Sequence, residues 1–459
     1  MARYLNDQVA IDIAPLRAGY VAFGSPFYDP AGLTALTERA ERELTGAGIE
    51  LQRTDPVFAL EHVDRAVAEL SGGTWDVLVA NVINWVEYRA ATRVLLAFRD
   101  RPIILYSYGG LTEDGTLISP AAGAGSTALR FPLERWGVRF VYLFNAPDTP
   151  MDVAGVIRFA RAARAARRLR GSRIGMVGFN DMGLYTTAFD VTALRGRVGP
   201  EVEAVDLLEV QRAMEALPAD EVTAEQRRET ADWTWADGPP PDDILQQTFR
   251  LYLATVDICH ERGFDAVSYK TVEGVSSVLG VLHSVPSSLV ATAGHPYIDE
   301  NDVGNLVAQL ALKWISDGPV TFLEHYEHHP DWILLGVDGF VPHQLIDGPV
   351  VIKRADTLSP GLAHGSRMRT GRMTLACLAQ TGTGYRMHIV PGEATAPPSW
   401  VEMGTDLPPW PSVRFTPDGS VRSILDHVLS QHFAAAYGDW GQELVHLCRL
   451  LDIEVVLDG

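Results

Sequence analysis

Three donor side chains in the second half of the chain carry the most chemistry: Glu300 in PYIDENDVG, Glu324 in FLEHYEHH and His432 in SQHFAAAYGDW. Each flanks an apolar segment that reads as a strand or a helix. Two carboxylates and one imidazole make an open, oxygen-rich site for a divalent cation such as Mn²⁺ or Mg²⁺. A cation that two neighbouring sugar oxygens can reach is what aldose–ketose isomerisation needs. Each residue also has a plainer reading. Glu300, Asp299 and Asp302 could serve the dipole at a helix N-terminus. Glu324 could belong to a polar surface loop with His325, Glu327, His328 and His329; no HExxH spacing marks those histidines as a zinc site. His432 could be a satisfied core or capping histidine, with Gln431 orienting its ring or bonding a ligand hydroxyl.

The elements that must position these residues alternate. RAGYVAF (17–23), WDVLVANVI (75–83), RPIILYSYG (101–109) and FVYLFN (140–145) read as strands, with LTALTERAERELTGAG as an intervening helix. Such alternation predicts a parallel α/β domain. VIRFARAARAARRLRGS (156–172) is a basic, Ala-rich helix, expected to show a solvated face. At SRIGMVGFNDMGLY (172–185) a strand runs into a Gly-rich loop without the spaced glycines of a dinucleotide fingerprint. FDAVSYK and SSLVATAG continue the alternation, and TADWTWADGPPPDD (230–243) reads as a loop. GRMTLACLAQTGTGYRMHIVPGEA (371–394) reads as a β-hairpin around TGTG. A Pro- and Trp-rich stretch, a helix (441–452) and a strand, IEVVL, close the chain. The expectation is two tandem Rossmann-like parallel-sheet domains and a smaller β-rich domain. Their bounds are 1–171, 172–350 with both carboxylates, and 351–459 with the histidine.

Composition narrows the partners. The chain has 459 residues, 47% of them hydrophobic and 21% charged, an ordinary globular mixture. With 58 acidic and 38 basic residues the formal net charge is −20, which argues against nucleic acid and anionic membrane as main partners. The opening MARYLNDQVAIDI lacks a basic flank and an apolar core, so no signal peptide is expected. No run of eighteen apolar residues occurs, so no membrane span is expected. The three cysteines are widely spaced, which suits reduced cytoplasmic thiols.

These motifs resemble the L-fucose/L-arabinose isomerase family over most of the chain. IGMVGFNDMGLYTTAFDVTALRGRVGPEVEAVDLLEV (174–210) is similar to the opening of that family's second domain. IDENDVGNLVAQLAL, FLEHY and QHFAAAYGDWGQELVHLCRLLDIE resemble its metal segments, which places the ligands on Glu300, Glu324 and His432. The two carboxylates are 324 − 300 = 24 residues apart, room for a strand end, a crossover helix and the next strand end. Both would then emerge at one sheet edge. The resemblance implies a Mn²⁺- (or Mg²⁺-) dependent sugar isomerase, an intramolecular oxidoreductase working through a cis-enediol, in a homotrimer or homohexamer. It implies a substrate-binding role for Trp85, although a core or interface tryptophan is the plainer reading; Gln431 beside the histidine and Lys270 at a strand end are substrate-binding candidates by position, with a Lys270–Glu273 salt bridge the plainer reading of the second. One departure stands out. Where the arabinose branch has a further metal histidine, this chain has Val337 and Asp338. The fourth ligand is then absent, as in the fucose branch, or replaced by Asp338 or by water, and the departure fits an enzyme acting on a modified sugar. A non-catalytic sugar-binding protein is the reading from another class.

Overall fold

In a computed structural model, the described residues are 15–459 apart from 26, 28, 29, 114, 119, 120, 383 and 405–408. The segment read for a targeting signal, Thr383 of the TGTG turn, and parts of the 25–32 and 399–415 loops lie outside them. The chain divides into two compact units, Ile13–Arg167 and Arg168–Gly459. The boundary falls inside the helix Val153–Gly171.

The first unit is a five-stranded, all-parallel sheet. Its strands are β1 (Arg17–Phe23), β2 (Glu50–Arg53), β3 (Val77–Val82), β4 (Ile103–Ser107) and β5 (Phe140–Phe144), in the order β2-β1-β3-β4-β5. The continuous apolar run VLVANV is buried at every position, as a central parallel strand must be when both faces are covered. The core joins Val21, Phe23, Leu78 and Leu105 to helix residues such as Val94 and Leu133. The helix Val153–Gly171 is more buried than its charge suggests. Its alanines make a close-packing face, and Arg164 is itself buried.

The second unit holds two kinds of sheet. Strands β6 (Arg173–Val177), β7 (Glu201–Val205), β8 (Ala266–Tyr269) and β9 (Tyr297–Ile298) form a parallel sheet in the order β9-β8-β6-β7. Beyond it lie β10 (Val320–His328), β11 (Ile333–Gly336), β12 (Gly371–Thr381), β13 (Gly384–Thr395), β14 (Ser412–Pro417), β15 (His432–Tyr437) and β16 (Glu454–Leu457). These run in the order β12-β15-β10-β11-β14-β13, and the β12–β13 hairpin closes the ring into an antiparallel barrel, with β16 parallel on β13. TADWTWADGPPPDD is not only loop: Thr234–Trp235 pairs with Val351–Ile352 in a small separate sheet.

The structure departs from expectation at Glu324. The helix α1 (Val303–Ser316) does follow Glu300, but the strand after it does not return to the parallel sheet. β10 pairs antiparallel with β11 and β15, so β-rich structure begins at Val320, well before residue 351. Strand–helix–strand periodicity looks the same locally whichever sheet receives the last strand. Leu323 and Phe433 point into the barrel core with Leu335, Leu375 and Phe415. Because strand side chains alternate, Phe322, Glu324 and His432 face the opposite side, where α1 packs. Gly304 permits that packing: a Cβ there would strike the Leu378 carbonyl of β12.

Candidate active site

Glu300, Glu324 and His432 come together. His432 starts β15 directly opposite Glu324 in the ladder, and its Nε2 lies 3.2 Å from Glu324 Oε1. The same Nε2 is 3.8 Å from Glu300 Oε2. Glu300 arrives from the parallel sheet, just past β9, in a left-handed backbone conformation (φ 59°), and Asn301 repeats it (φ 54°). Two successive left-handed non-glycine residues are strained, and such strain persists only where the surroundings impose it. Here Asn301 Nδ2 donates to the carbonyls of Val177 (3.0 Å) and Phe179 (2.7 Å), and its N–H to Tyr269. The turn therefore carries Glu300 out of the helix it precedes.

The helix-capping role belongs to Asp302. Its Oδ1 accepts from the N–H of Asn305 (3.1 Å), and its Oδ2 from Asn305 Nδ2 (2.7 Å) and Ser430 Oγ (2.9 Å). The same Oδ2 lies 3.0 Å from His432 Nδ1. This bond aims Nε2 at the two glutamates, the arrangement by which a carboxylate orients a ligating imidazole. Gln431 bridges the layers: its Nε2 donates to Glu300 Oε2 (2.8 Å) and its Oε1 accepts from Thr186 Oγ1 (2.8 Å).

The electrostatics are those of crowded carboxylates. Burial pushes Glu300 up to about 7, against the pull of the His432 charge. Burial also pushes Asp338, just beyond β11, up to about 6, with His283 and Lys353 opposing it and Glu324 adding to it. For His432 burial works the other way, yet its bonds to Asp302 and Glu324 overcome it and raise the ring to about 10. Asp302 resists burial through the same bond and stays below the usual carboxylate range. Behind Glu300, Asp299 holds His283 at 3.5 Å and accepts from Tyr297 Oη at 2.8 Å.

A divalent cation suits this donor set, with two carboxylates, one imidazole already oriented, and surplus negative charge. The 3.2 and 3.8 Å spacings resemble the roughly 3 Å between neighbouring ligands on an octahedral cation bound at about 2.1 Å. As the side chains stand, no group of three or more His, Cys, Asp or Glu among the described residues encloses an ion position. His432 Nε2 stands within hydrogen-bond distance of Glu324 instead.

The other expected residues fall differently. Lys270, at the end of β8, gives its ammonium to Glu273 Oε2 at 2.8 Å, the plainer of its two readings. Trp85 lies in the first unit, just after β3, with 45% of its surface exposed. One contributor escaped the sequence reading, and another was read only for its place at a helix N-terminus. Thr186, in the matched LYTT segment, had no signal of its own. Asp302 did have one, since Asp-x-x-Asn before an apolar helical run is a capping pattern.

Such a site, between a parallel α/β layer and an antiparallel barrel, brings together carboxylates and an oriented imidazole, groups suited to acid–base chemistry. The comparisons add relatives to that picture. Residues 357–458 match the family model for the L-fucose isomerase C-terminal domain. Sulfoquinovose isomerases of Priestia aryabhattai and Priestia megaterium are each 21% identical over 418 residues, covering 87% of this chain and 90% of theirs. That of Alkalicoccus urumqiensis is 21% identical over 383 residues, 77% of this chain and 80% of its own. A periplasmic sugar-binding protein from Legionella pneumophila aligns at 13% identity over 65% of this chain, with a TM-score of 0.15 that carries no argument about the fold. These matches support a likeness of the chain to the L-fucose/L-arabinose isomerase family.

Proposed function

We propose that this protein is a sugar isomerase that interconverts an aldose and its ketose, using Glu300, Glu324 and His432 with a bound Mn²⁺ or Mg²⁺. The observation that carries the reading is the convergence of His432 Nε2 on both glutamates, with Nδ1 held by Asp302. When bound, the cation would supply Lewis-acid polarisation of the sugar's carbonyl and alcohol oxygens. The chain's own residues do the rest. His432 is fixed by Asp302 as a ligand. Gln431 holds Glu300 by one oxygen. Glu300, which burial brings close to neutral pH, suits the removal of the C2 proton and its return to C1. Glu324 manages the protons on the two sugar oxygens, and the intermediate is a cis-enediol.

The substrate in this reading is an open-chain pentose, a 6-deoxyhexose or a modified hexose. The relatives are named for sulfoquinovose, and Asp338 in place of a metal histidine supports a substrate outside the common pentoses. The reading includes two doubly wound parallel units and a homotrimer or homohexamer in the cytoplasm. No single described helix is long and apolar enough to cross a membrane. The test is a panel of aldoses, sulfoquinovose included, incubated with Mn²⁺ in D₂O and assayed for ketose. Deuterium entering at C1 supports the enediol, and its exclusion points to a hydride shift. No ketose from any aldose, with Mn²⁺ bound, overturns the proposal.

A further inference from the structure

Beside Glu324 stands an open group to which the proposed reaction gives no task, the carboxylate of Asp338. The barrel strands set its place. Glu324 of β10 lies opposite Gly336 of β11 in the ladder, and residues directly opposite share a face. Ile333 and Leu335 point into the barrel core. Alternation therefore turns Gly336, and Asp338 two residues on, to the side of Glu324 and His432. The chain beyond keeps to that side: Phe340 lies against Phe322 with ring centres 4.9 Å apart, and Phe322 meets the His432 ring edge-on at 5.3 Å. The ladder diagonal from Glu324 to Asp338 is about 7–8 Å, within reach of an open six-carbon chain.

The backbone around Asp338 is pinned, and its side chain is not. Val337 N–H donates to the Pro411 carbonyl (3.3 Å), His364 N–H to the Gly339 carbonyl (2.9 Å) and Val341 N–H to Ser288 Oγ (3.1 Å). Gly339 makes a left-handed turn (φ 66°), and a Cβ there would strike Ala363. Asp338 itself is half-buried. Its carboxylate has no hydrogen bond or ion pair among the described residues, and neither oxygen is sealed from solvent. The nearby cations are committed elsewhere. His283 pairs with Asp299 at 3.5 Å, and Lys353 Nζ donates to the Pro409 carbonyl at 2.7 Å, over the Trp410 ring. Both still act on Asp338 as positive charges, so a further ammonium is disfavoured and neutral O–H donors suit it. An ionised carboxylate only accepts, and its two oxygens can take more than one hydroxyl.

We propose that Asp338 is a specificity-determining residue of this site: it accepts hydrogen bonds from hydroxyls on the sugar carbons beyond C2, while the cation holds the oxygens of C1 and C2. The inference rests on the isomerase reading for the placing of C1 and C2. It makes the site selective for a sugar hydroxylated along its chain, and assigns that selection to a residue outside the cation's ligands.

Calorimetry on the Mn²⁺-loaded full chain tests it at pH 8, where Asp338, pushed up to about 6, is ionised. D-glucitol and galactitol carry a hydroxyl on every carbon, and hexane-1,2-diol only on the first two. At least one hexitol binds more tightly than the diol. Asp338→Ala weakens that hexitol by about tenfold or more, the loss expected for hydrogen bonds to a charged group, and leaves the diol unchanged. Asp338→Asn keeps the shape without the charge and falls between. Circular dichroism melts establish folding, and if Asp338→Ala does not fold, Asp338→Asn decides. A folded variant that binds the hexitols as the parent does overturns the proposal, and so does the lack of saturable hexitol binding. A Mn²⁺ affinity about tenfold or more lower in Asp338→Ala makes Asp338 a cation ligand instead and also overturns it. Turnover is read apart. Absence of ketose from the aldose panel sinks the isomerase reading, whereas turnover with unaltered hexitol binding in Asp338→Ala sinks this inference alone.

Discussion

Cation binding at the proposed site should tighten steeply with pH, and the steepness follows from two side chains. In the metal-free protein His432 keeps its proton up to about 10, and Glu300 up to about 7. A cation needs the imidazole neutral and the carboxylate ionised, so binding must expel whichever protons are present. Above pH 7 only the His432 proton leaves, and affinity rises about tenfold per pH unit. Below pH 7 the Glu300 proton must leave too, and the slope approaches a hundredfold per unit. From pH 8 down to pH 6, His432 contributes about two decades and Glu300 about one, a weakening of roughly 10³-fold. The measurement is Mn²⁺ affinity by calorimetry or electron paramagnetic resonance, in a non-chelating buffer at several pH values. Asp302→Asn sharpens it. The amide can donate to Nδ1 and leave the proton on Nε2, so Mn²⁺ should bind about 10–100-fold more weakly, as when the partner of a ligating histidine is lost. A dissociation constant that moves less than tenfold between pH 6 and 8, or Asp302→Asn binding Mn²⁺ like the parent, refutes this account of the site.

The same protonations set the stability of the metal-free protein. A raised His432 stabilises the fold fully below about 6.5 and ceases to do so as pH rises through about 10; raised Glu300 acts with the same sign between about 4.5 and 7. The melting temperature without metal should therefore fall as pH rises from 6 towards 9, and Mn²⁺ should reverse that trend. Glu300→Gln should lower turnover by at least ~10²-fold, with Mn²⁺ occupancy measured alongside; unchanged turnover in both Glu300→Gln and Glu324→Gln moves the site elsewhere. Gly304→Val would drive a branched side chain into the Leu378 carbonyl. It should cost about 1–3 kcal/mol in chemical denaturation and weaken Mn²⁺ binding, because α1 carries Asp302. Light scattering at micromolar concentration should give a trimer or hexamer, and an active monomer would contradict that part of the proposal.

Much of this protein was legible before any coordinates. The buried run VLVANV, the Gly-rich exit of IGMVGFN, the hairpin around TGTG and the closing helix and strand each carry a local signal, and each forms as read, outside the residues the structure does not describe. Chemical type and family resemblance singled out Glu300, Glu324 and His432. Residue type cannot reveal which sheet a strand joins, because hydrogen-bond partners are chosen by distant segments. Glu324 was therefore expected at a parallel sheet edge and stands in a barrel strand opposite His432. Nor could local pattern divide labour within IDEND. Asp302 caps the helix and aims the imidazole, while two left-handed residues turn Glu300 towards it. Lys270 pairs with Glu273, a neighbour three residues on, the contact that local spacing offered. Sequence determined which groups could do chemistry. The meeting of strand, turn and helix N-terminus, which depends on contacts more than a hundred residues apart such as His432 with Asp302 and Glu324, decided which of them face one another.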